Sequence, residues 1–95
     1  MVKKTKKGTV MVFGVFDLLH QGHLAMLKEA KTYGNKLIAV LATDANAEKE
    51  KGKKPIQDQQ TRANAIKPYV TKVIIGDEND YLLPLKREKP DIICL

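Results

Sequence analysis

Apolar residues lie in short runs that alternate with charged, helix-periodic segments along the chain. Residues 9–16 (TVMVFGVF) and 36–43 (KLIAVLAT) are rich in Val, Ile, Leu and Phe. This composition is typical of strands buried within a sheet. Two shorter runs, VII at 73–75 and DIICL at 91–95, predict a third and a fourth strand.

The first helix is expected directly after the first strand. Its apolar residues Leu24, Leu27 and Ala30 recur at intervals of three, with charged residues between them. Gly34 follows the last periodic residue and is expected to cap the end of this helix.

The later helical segments have start and stop signals of their own. Asp58 is expected to be the N-cap of a helix in which Ala63 and Ile66 face inward. Pro84 suits the first turn of the last helix. The segments cover residues 58–69 and 80–89, and a charged stretch at 44–54 has a helical start and a loose end.

The order of the elements, β-α-β-α-β-α-β, predicts the fold class. Strands that alternate with helices pair in parallel through right-handed crossovers. We therefore expect an α/β fold, a Rossmann-like three-layer α/β/α domain with a parallel sheet, over residues 9–95 behind a basic tail at 1–8. Ligands of such sheets bind beyond the carboxyl ends of the strands. Because the last apolar run continues to Leu95, we expect a domain that is truncated at its C-terminus.

Charge and composition narrow the classes of ligand. The chain has 17 Lys or Arg and 11 Asp or Glu, a net charge of +6, and a basic surface attracts phosphates. Arginines are limited to Arg62 and Arg87, and there are only 2 Phe, 3 Tyr and no Trp. Base reading and base stacking rely on Arg and aromatic side chains, so we expect small phosphorylated ligands and no nucleic acid.

The chain has no sequence feature of a membrane or disulfide-bonded protein. Its longest apolar run, residues 37–42, is much shorter than a membrane-spanning helix. Cys94 is the only cysteine, which excludes a disulfide within the chain. We expect a cytoplasmic protein with no membrane partner.

The only two histidines, His20 and His23, flank Gly22 at the junction of the first strand and helix. The free amides of a first helical turn and the helix dipole favour anions there, and imidazoles add hydrogen-bond donors. The group therefore suits a phosphate chain. The alternative is that one histidine caps the helix and the other packs against the strand. No metal site is expected, because a third ligand would have to come from far away.

Motifs of two other nucleotide-binding classes are absent. Gly14 stands alone where a dinucleotide-binding enzyme has Gly-x-Gly-x-x-Gly. The stretch GKKP at 52–55 lacks the Ser or Thr that follows Lys in a Walker loop. The chain is therefore neither a dinucleotide-binding dehydrogenase nor a Walker-type ATPase.

Residues 14–23 (GVFDLLHQGH) resemble the signature of the cytidylyltransferase family of nucleotidyltransferases, Gly-[Thr/Val]-Phe-Asp-x-x-His-x-Gly-His. This HxGH-type likeness is strongest to glycerol-3-phosphate cytidylyltransferases and archaeal-type FAD synthases. It continues through short segments at residues 30–31, 42–44, 51–55, 62 and 89–91. Val15 stands where many members have Thr.

The resemblance implies a reaction and a set of site residues. ATP or CTP would transfer its nucleotide to a small phosphorylated acceptor and release pyrophosphate, with Mg²⁺ as cofactor and a homodimer as the assembly. The acceptor would be FMN with ATP or, as a close second, glycerol 3-phosphate with CTP. The catalytic residues would be His20, His23 and Lys53. The nucleotide would be bound by Gly14, Val15, Phe16, Asp17, Gly22, Lys51, Lys54 and Arg62, the last positioning phosphate or the lysine-rich loop.

Other interpretations remain open for these residues. Asp17 is equally suited to cap the helix. Arg62 could form a surface ion pair. The lysines of residues 49–54 could form one solvated run. Cys94 is expected in the core. The chain has no counterpart of the family's later Ile-Ser-[Ser/Thr]-Thr segment. This absence makes an inactive nucleotide-binding module or fragment the alternative function. A basic nucleic-acid-binding domain is the third and weakest hypothesis.

Overall fold

The computed structural model describes residues 8–77, 79–80 and 83–94. Within these ranges the predicted alternation of strands and helices is present, and only the second and third helices follow each other without a strand between them. The elements are β1 (Thr9–Gly14), α1 (Gln21–Lys31), β2 (Lys36–Leu41), α2 (Asp44–Lys51), α3 (Gln59–Ile66), a 3₁₀ turn (Lys67–Tyr69), β3 (Lys72–Ile75), α4 (Leu83–Glu88) and β4 (Ile92–Cys94).

The four strands form one parallel sheet in the order β3-β2-β1-β4. Val12 of β1 lies opposite Ala39 of β2 on one side and Cys94 of β4 on the other. The chain therefore builds outward from β1 to β3 and then returns to place β4 beside β1. Strand order reverses between β1 and β4, and the carboxyl ends of strands near such a switch point are where open α/β sheets bind ligands.

Alternation along β1 divides the core between the two faces of the sheet. Val10 and Val12 face α1 and α3, whereas Met11 faces α4, and all three are fully buried. The first face also buries Leu27, Ala30, Ala63 and Ile66 of the two helices. On the second face, Ile38, Val40 and Leu85 pack with Met11. Helices on both faces of a parallel sheet confirm the predicted three-layer α/β/α fold.

The end of α1 differs from the sequence prediction. The C-cap is Thr32 in right-handed conformation, and its hydroxyl donates to the Glu29 carbonyl at 2.6 Å. The prediction of Gly34 as the cap was therefore wrong. Glycine is needed there for a different reason, because a Cβ at Gly34 would lie 2.7 Å from the Gly8 carbonyl oxygen.

The other start signals are confirmed. The Asp58 side chain accepts from the Thr61 amide and caps α3, in which Ala63 and Ile66 are buried. Pro84 is the second residue of α4, in its first turn as predicted. Cys94, expected in the core, is half-buried and packs against the first core face from its edge.

Parts of some predictions lie outside the described residues. They are the basic tail up to residue 7, Glu78, the start of the last helix at 81–82, and Leu95. Gly8, assigned to the tail, already belongs to the folded domain, because its carbonyl accepts from the amides of Asn35 and Lys36. None of the helices in the described ranges has the length and apolar character needed to cross a membrane.

Candidate active site

A strained turn leads from β1 into α1. Phe16 and Leu18 have φ angles of 54° and 52°, in the left-handed region that bulky side chains rarely adopt. The Phe16 ring folds back over Gly14, where a Cβ would lie 2.9 Å from the ring carbon Cε2. Glycine at position 14 therefore makes room for a sharp change of chain direction.

His20 and His23 together cap the helix that follows. His20 is the N-cap, and its Nδ1 accepts from the Gly22 amide at 3.0 Å. His23 reaches back, and its Nδ1 accepts from the His20 amide at 3.2 Å. In this reciprocal capping box each Nδ1 is an acceptor, so a neutral ring carries its proton on Nε2. Each imidazole therefore keeps an Nε2–H donor for a ligand.

The two rings are held close together. Their centroids are 3.9 Å apart with 24° between the planes, and Phe16 meets His23 edge-on at 5.3 Å. Burial lowers the pKa of His23 from its ordinary value, and the neighbouring His20 lowers it further. A Cβ at Gly22 would lie 2.9 Å from Cε1 of His20. Gly22 therefore gives His20 the space that its capping position needs.

A cleft of about 320 Å³ joins these imidazoles to lysines of the α2–α3 connection. We call it the histidine cleft; it is lined by Val15, Phe16, Asp17, His20, His23, Ala47, Lys51, Lys53, Lys54, Pro55 and Ile56. Lys51 ends α2, and Lys53 and Lys54 lie in the lysine loop, residues 52–58. The three lysines are exposed and lie beside a helix N-terminus, so cations and helix dipole together favour a phosphate chain.

Asp17 holds the lysine loop and does not cap α1. Its Oδ2 accepts from the Ile56 amide at 2.7 Å and its Oδ1 from the Gln57 amide at 2.9 Å. Burial acts to raise the pKa of Asp17, but the amides of Gln57 and Ile56, helped by the charge of Arg62, hold it below its ordinary value. The helix-capping alternative for Asp17 was wrong, because His20 occupies that position.

Arg62 is fully buried behind the site. Its Nη1 donates to the Val15 carbonyl at 2.7 Å, its Nε to the Gln57 carbonyl at 3.0 Å, and its Nη2 to Asp44 Oδ1 at 2.7 Å. A side chain without exposed surface cannot contact phosphate, so the expectation that Arg62 binds the nucleotide needs correction. Arg62 does form an ion pair, but its side chain is fully buried and its partner Asp44 lies on α2, so the expected surface ion pair on its own helix was wrong. The contacts of Arg62 support its other expected task, which is to position the lysine loop.

A second cleft, of about 390 Å³, opens at the carboxyl ends of β1, β2 and β3. This apolar cleft is lined by Phe13, Gly14, Val15, Val40, Leu41, Ala42, Asn46, Lys49, Glu50, Gly76 and Asp77. Val15 borders both clefts. Sequence reasoning missed most of this lining, although the rule that ligands bind at carboxyl ends of strands pointed to it.

The structure thus separates the expected site residues into four places. Those that line the histidine cleft are Val15, Phe16, Asp17, His20, His23, Lys51, Lys53 and Lys54. Gly14 lines the apolar cleft, Gly22 lies in the first turn of α1, and Arg62 lies behind both clefts. Among the described residues, no group of three or more His, Cys, Asp or Glu side chains could hold a metal ion.

Comparison with known proteins identifies the family. The model of the cytidylyltransferase-like family matches residues 11–95. The FAD synthase of Pyrococcus horikoshii is 44% identical over 93 residues, which cover 95% of this chain and 63% of that protein. The FAD synthase of Archaeoglobus fulgidus is 42% identical over 87 residues, which cover 90% and 62%.

A solved structure supports the same relationship. The crystal structure of the lipopolysaccharide core biosynthesis protein from Thermoplasma volcanium matches with a TM-score of 0.84 and 42% identity, over 90% of this chain and 70% of that one. The chain spans about three fifths of the length of the two FAD synthases. The family predicted from residues 14–23 is confirmed, and the chain belongs to the cytidylyltransferase-like family.

Proposed function

We propose that this chain forms the nucleotidyl-transferring domain of an FAD synthase, which transfers AMP from ATP to FMN and releases pyrophosphate. The observation that carries the proposal is the histidine cleft, in which two Nε2–H donors at the start of α1 lie across from exposed lysines. The FAD synthases among its relatives support the choice of ATP and FMN.

The reaction requires charge stabilisation and positioning. An oxygen of the acceptor phosphate attacks the α-phosphorus of ATP, the bond from that phosphorus to the bridging oxygen breaks, and pyrophosphate leaves with the bridging oxygen. Negative charge grows on the phosphate oxygens during this step. His20 and His23 would donate from Nε2 to these oxygens, and Lys53 would neutralise charge at the α-phosphate.

The apolar cleft supports a flat, apolar acceptor. Its walls include Phe13, Val15, Val40 and Leu41, which suit the burial of an aromatic ring system. Glycerol 3-phosphate has no comparable apolar surface. Because Val15 borders both clefts, a ring bound in the apolar cleft would bring its phosphate towards the histidine cleft. This arrangement favours FMN over glycerol 3-phosphate.

Mg²⁺ remains part of the proposal. The described residues form no group of three acidic, His or Cys ligands, and both carboxylate oxygens of Asp17 accept from amides. Because the histidine cleft joins exposed lysines and imidazole donors that suit a triphosphate, a Mg²⁺ ion would be bound there mainly by the triphosphate oxygens. When bound, this ion would neutralise phosphate charge. We further propose a homodimer in the cytoplasm, on the family resemblance and the single cysteine.

The test is pyrophosphate release with two substrate pairs, ATP with FMN and CTP with glycerol 3-phosphate, each with Mg²⁺. We expect release with ATP and FMN, and its loss in a protein carrying both His20→Asn and His23→Gln. Release with CTP and glycerol 3-phosphate alone would contradict the acceptor. Calorimetric binding of ATP or CTP without release from either pair would support the nucleotide-binding module instead.

A further inference from the structure

We propose that Asp17 is a positioning residue, which holds the lysine loop so that Lys53 faces the two imidazoles, and that it does not itself bind the nucleotide. This inference deepens the proposed function. Its kinetic test rests on that function, because it measures turnover. It is argued from the hydrogen bonds between the turn after β1 and the lysine loop.

Three hydrogen bonds join these segments, which lie about 40 residues apart in the chain. Both oxygens of Asp17 accept amides of the lysine loop, from Ile56 at 2.7 Å and from Gln57 at 2.9 Å. The Gln57 side chain returns the contact, since its Oε1 accepts from the Leu18 amide at 3.1 Å. We call these three bonds the Asp17 clamp.

The clamp fixes the loop close to its lysines. Lys53 and Lys54 come directly before Pro55 and the clamped Ile56, and they have no hydrogen-bond or ion-pair partner among the described residues. At the other end of the loop, Gly52 has φ 81°, and a Cβ there would meet no atom within 4 Å. Lys53 is therefore held from two sides, by Gly52, whose amide donates to the Glu48 carbonyl at 2.8 Å at the end of α2, and by the Asp17 clamp.

The clamp also supports the turn that presents the histidines. Asp17 lies between Phe16 and Leu18, whose left-handed conformations persist only where neighbouring groups hold them. Arg62 binds both segments from behind, through the carbonyls of Val15 and Gln57. The same small network thus fixes the imidazoles and the lysine loop relative to each other.

The contacts of Asp17 explain why it would act through the loop. Both carboxylate oxygens of Asp17 are turned to the lysine loop and accept its amides, and an ionised carboxylate has no donor to offer a phosphate oxygen. Asn at this position keeps one acceptor and turns an amide donor towards the second backbone N–H. Asp17→Asn therefore weakens the clamp with little change in side-chain size.

The first arm of the test measures amide hydrogen exchange and needs no turnover. We expect Asp17→Asn to speed exchange of the Ile56 and Gln57 amides by about tenfold or more. The matched control is Asp91→Asn, because Asp91 accepts the Thr9 amide at 2.9 Å at the opposite end of the sheet. The control should leave exchange at Ile56 and Gln57 unchanged. Equal exchange in wild type and Asp17→Asn would overturn the proposal.

The second arm is a double-mutant cycle with Lys53→Ala. We expect Asp17→Asn to lower kcat by about tenfold with little change in the KM for ATP, and to cost less than about twofold in the Lys53→Ala background. Fully additive losses would show that Asp17 acts independently of Lys53 and would overturn the proposal. If Asp17→Asn does not fold, Gln57→Leu, which removes the acceptor for the Leu18 amide, replaces it in both arms, and the exchange arm then follows the Leu18 amide. If the wild-type chain releases no pyrophosphate, the proposed function fails and the exchange arm alone decides the clamp.

Discussion

The backbone amide of His20 donates to Nδ1 of His23 at 3.2 Å, so the second histidine stabilises the helix start that the first one caps. A helix cap and a phosphate site are usually alternative interpretations of such residues. Here one geometry is compatible with both, because capping uses Nδ1 of each ring and leaves each Nε2–H donor for a ligand.

Replacement of His20 should separate its two tasks. Asn is a good N-cap, so His20→Asn should keep the free energy of unfolding close to that of wild type, whereas His20→Ala should lose about 1 kcal/mol. Both variants lose the Nε2–H donor, and kcat should fall by about 100-fold or more in each. Urea unfolding and pyrophosphate release give the two readouts. Normal turnover in His20→Asn would show that the imidazole of His20 only caps the helix and takes no part in the reaction.

His23 should make stability depend on pH near neutrality. Its pKa is lowered by burial and by His20, so the unfolded chain binds the proton more readily than the folded one. The contribution of His23 is complete above about pH 6.5, the ordinary pKa of histidine, and is lost as pH falls below it. Protonation would also remove the Nδ1 acceptor for the His20 amide.

His23→Gln is the matched control for this pH effect, because Gln fills the same place in a capping box and does not titrate. Between pH 7.5 and 5.5 the wild type should lose more unfolding free energy than this variant. Asp17 and Asp58 have lowered pKa values, and their contributions are lost only below about pH 4. Equal pH dependence of wild type and His23→Gln would contradict the shift at His23.

Arg62 should contribute to stability far more than the other arginine. Lys cannot reproduce the guanidinium contacts to Val15, Gln57 and Asp44, so Arg62→Lys should lower the free energy of unfolding by about 2 kcal/mol. Arg87→Lys, at an exposed position of α4, should change it by less than about 0.5 kcal/mol. Equal effects in urea unfolding would show that the buried contacts contribute little.

Two glycines should respond differently to Ala and Asn. At Gly34 any Cβ approaches the Gly8 carbonyl, so both substitutions should cost about 1–3 kcal/mol. At Gly52 the space is open and φ is 81°, so Ala should cost about 1 kcal/mol and Asn, which tolerates this conformation, less. Thermal unfolding of the four variants distinguishes close approach from backbone conformation. Better tolerance of Asn than of Ala at Gly34 would indicate a left-handed cap after all.

The layers of the fold could be predicted because they depend on local patterns. Val10, Met11 and Val12 are buried on alternate faces, as expected for a strand covered by helices on both sides. The Asp58 cap could be predicted because its partner is the Thr61 amide, three residues away. The end of α1 could not be predicted. Glycine is required at position 34 because of a contact with Gly8, which is distant in sequence.

The site could be predicted only in part, because local patterns show contacts between residues that are close in sequence. His20 and His23 lie within one helical turn, so their spacing alone brought them together. Two of the three partners of Arg62, Asp44 and Val15, lie 18 and 47 residues away, and no local pattern records such contacts. Gln57 had no sequence signal at all, because its importance arises only from the fold that places it against Leu18.

The central claim is that both imidazoles present Nε2–H to bound phosphate, and ¹⁵N NMR of the two histidines tests it most directly. At pH 7.5 the structure predicts the Nε2–H tautomer for both rings, and addition of ATP with Mg²⁺ should shift the Nε2 signals more than the Nδ1 signals. An Nδ1–H tautomer in either ring, or histidine spectra that do not respond to ATP, would contradict the claim.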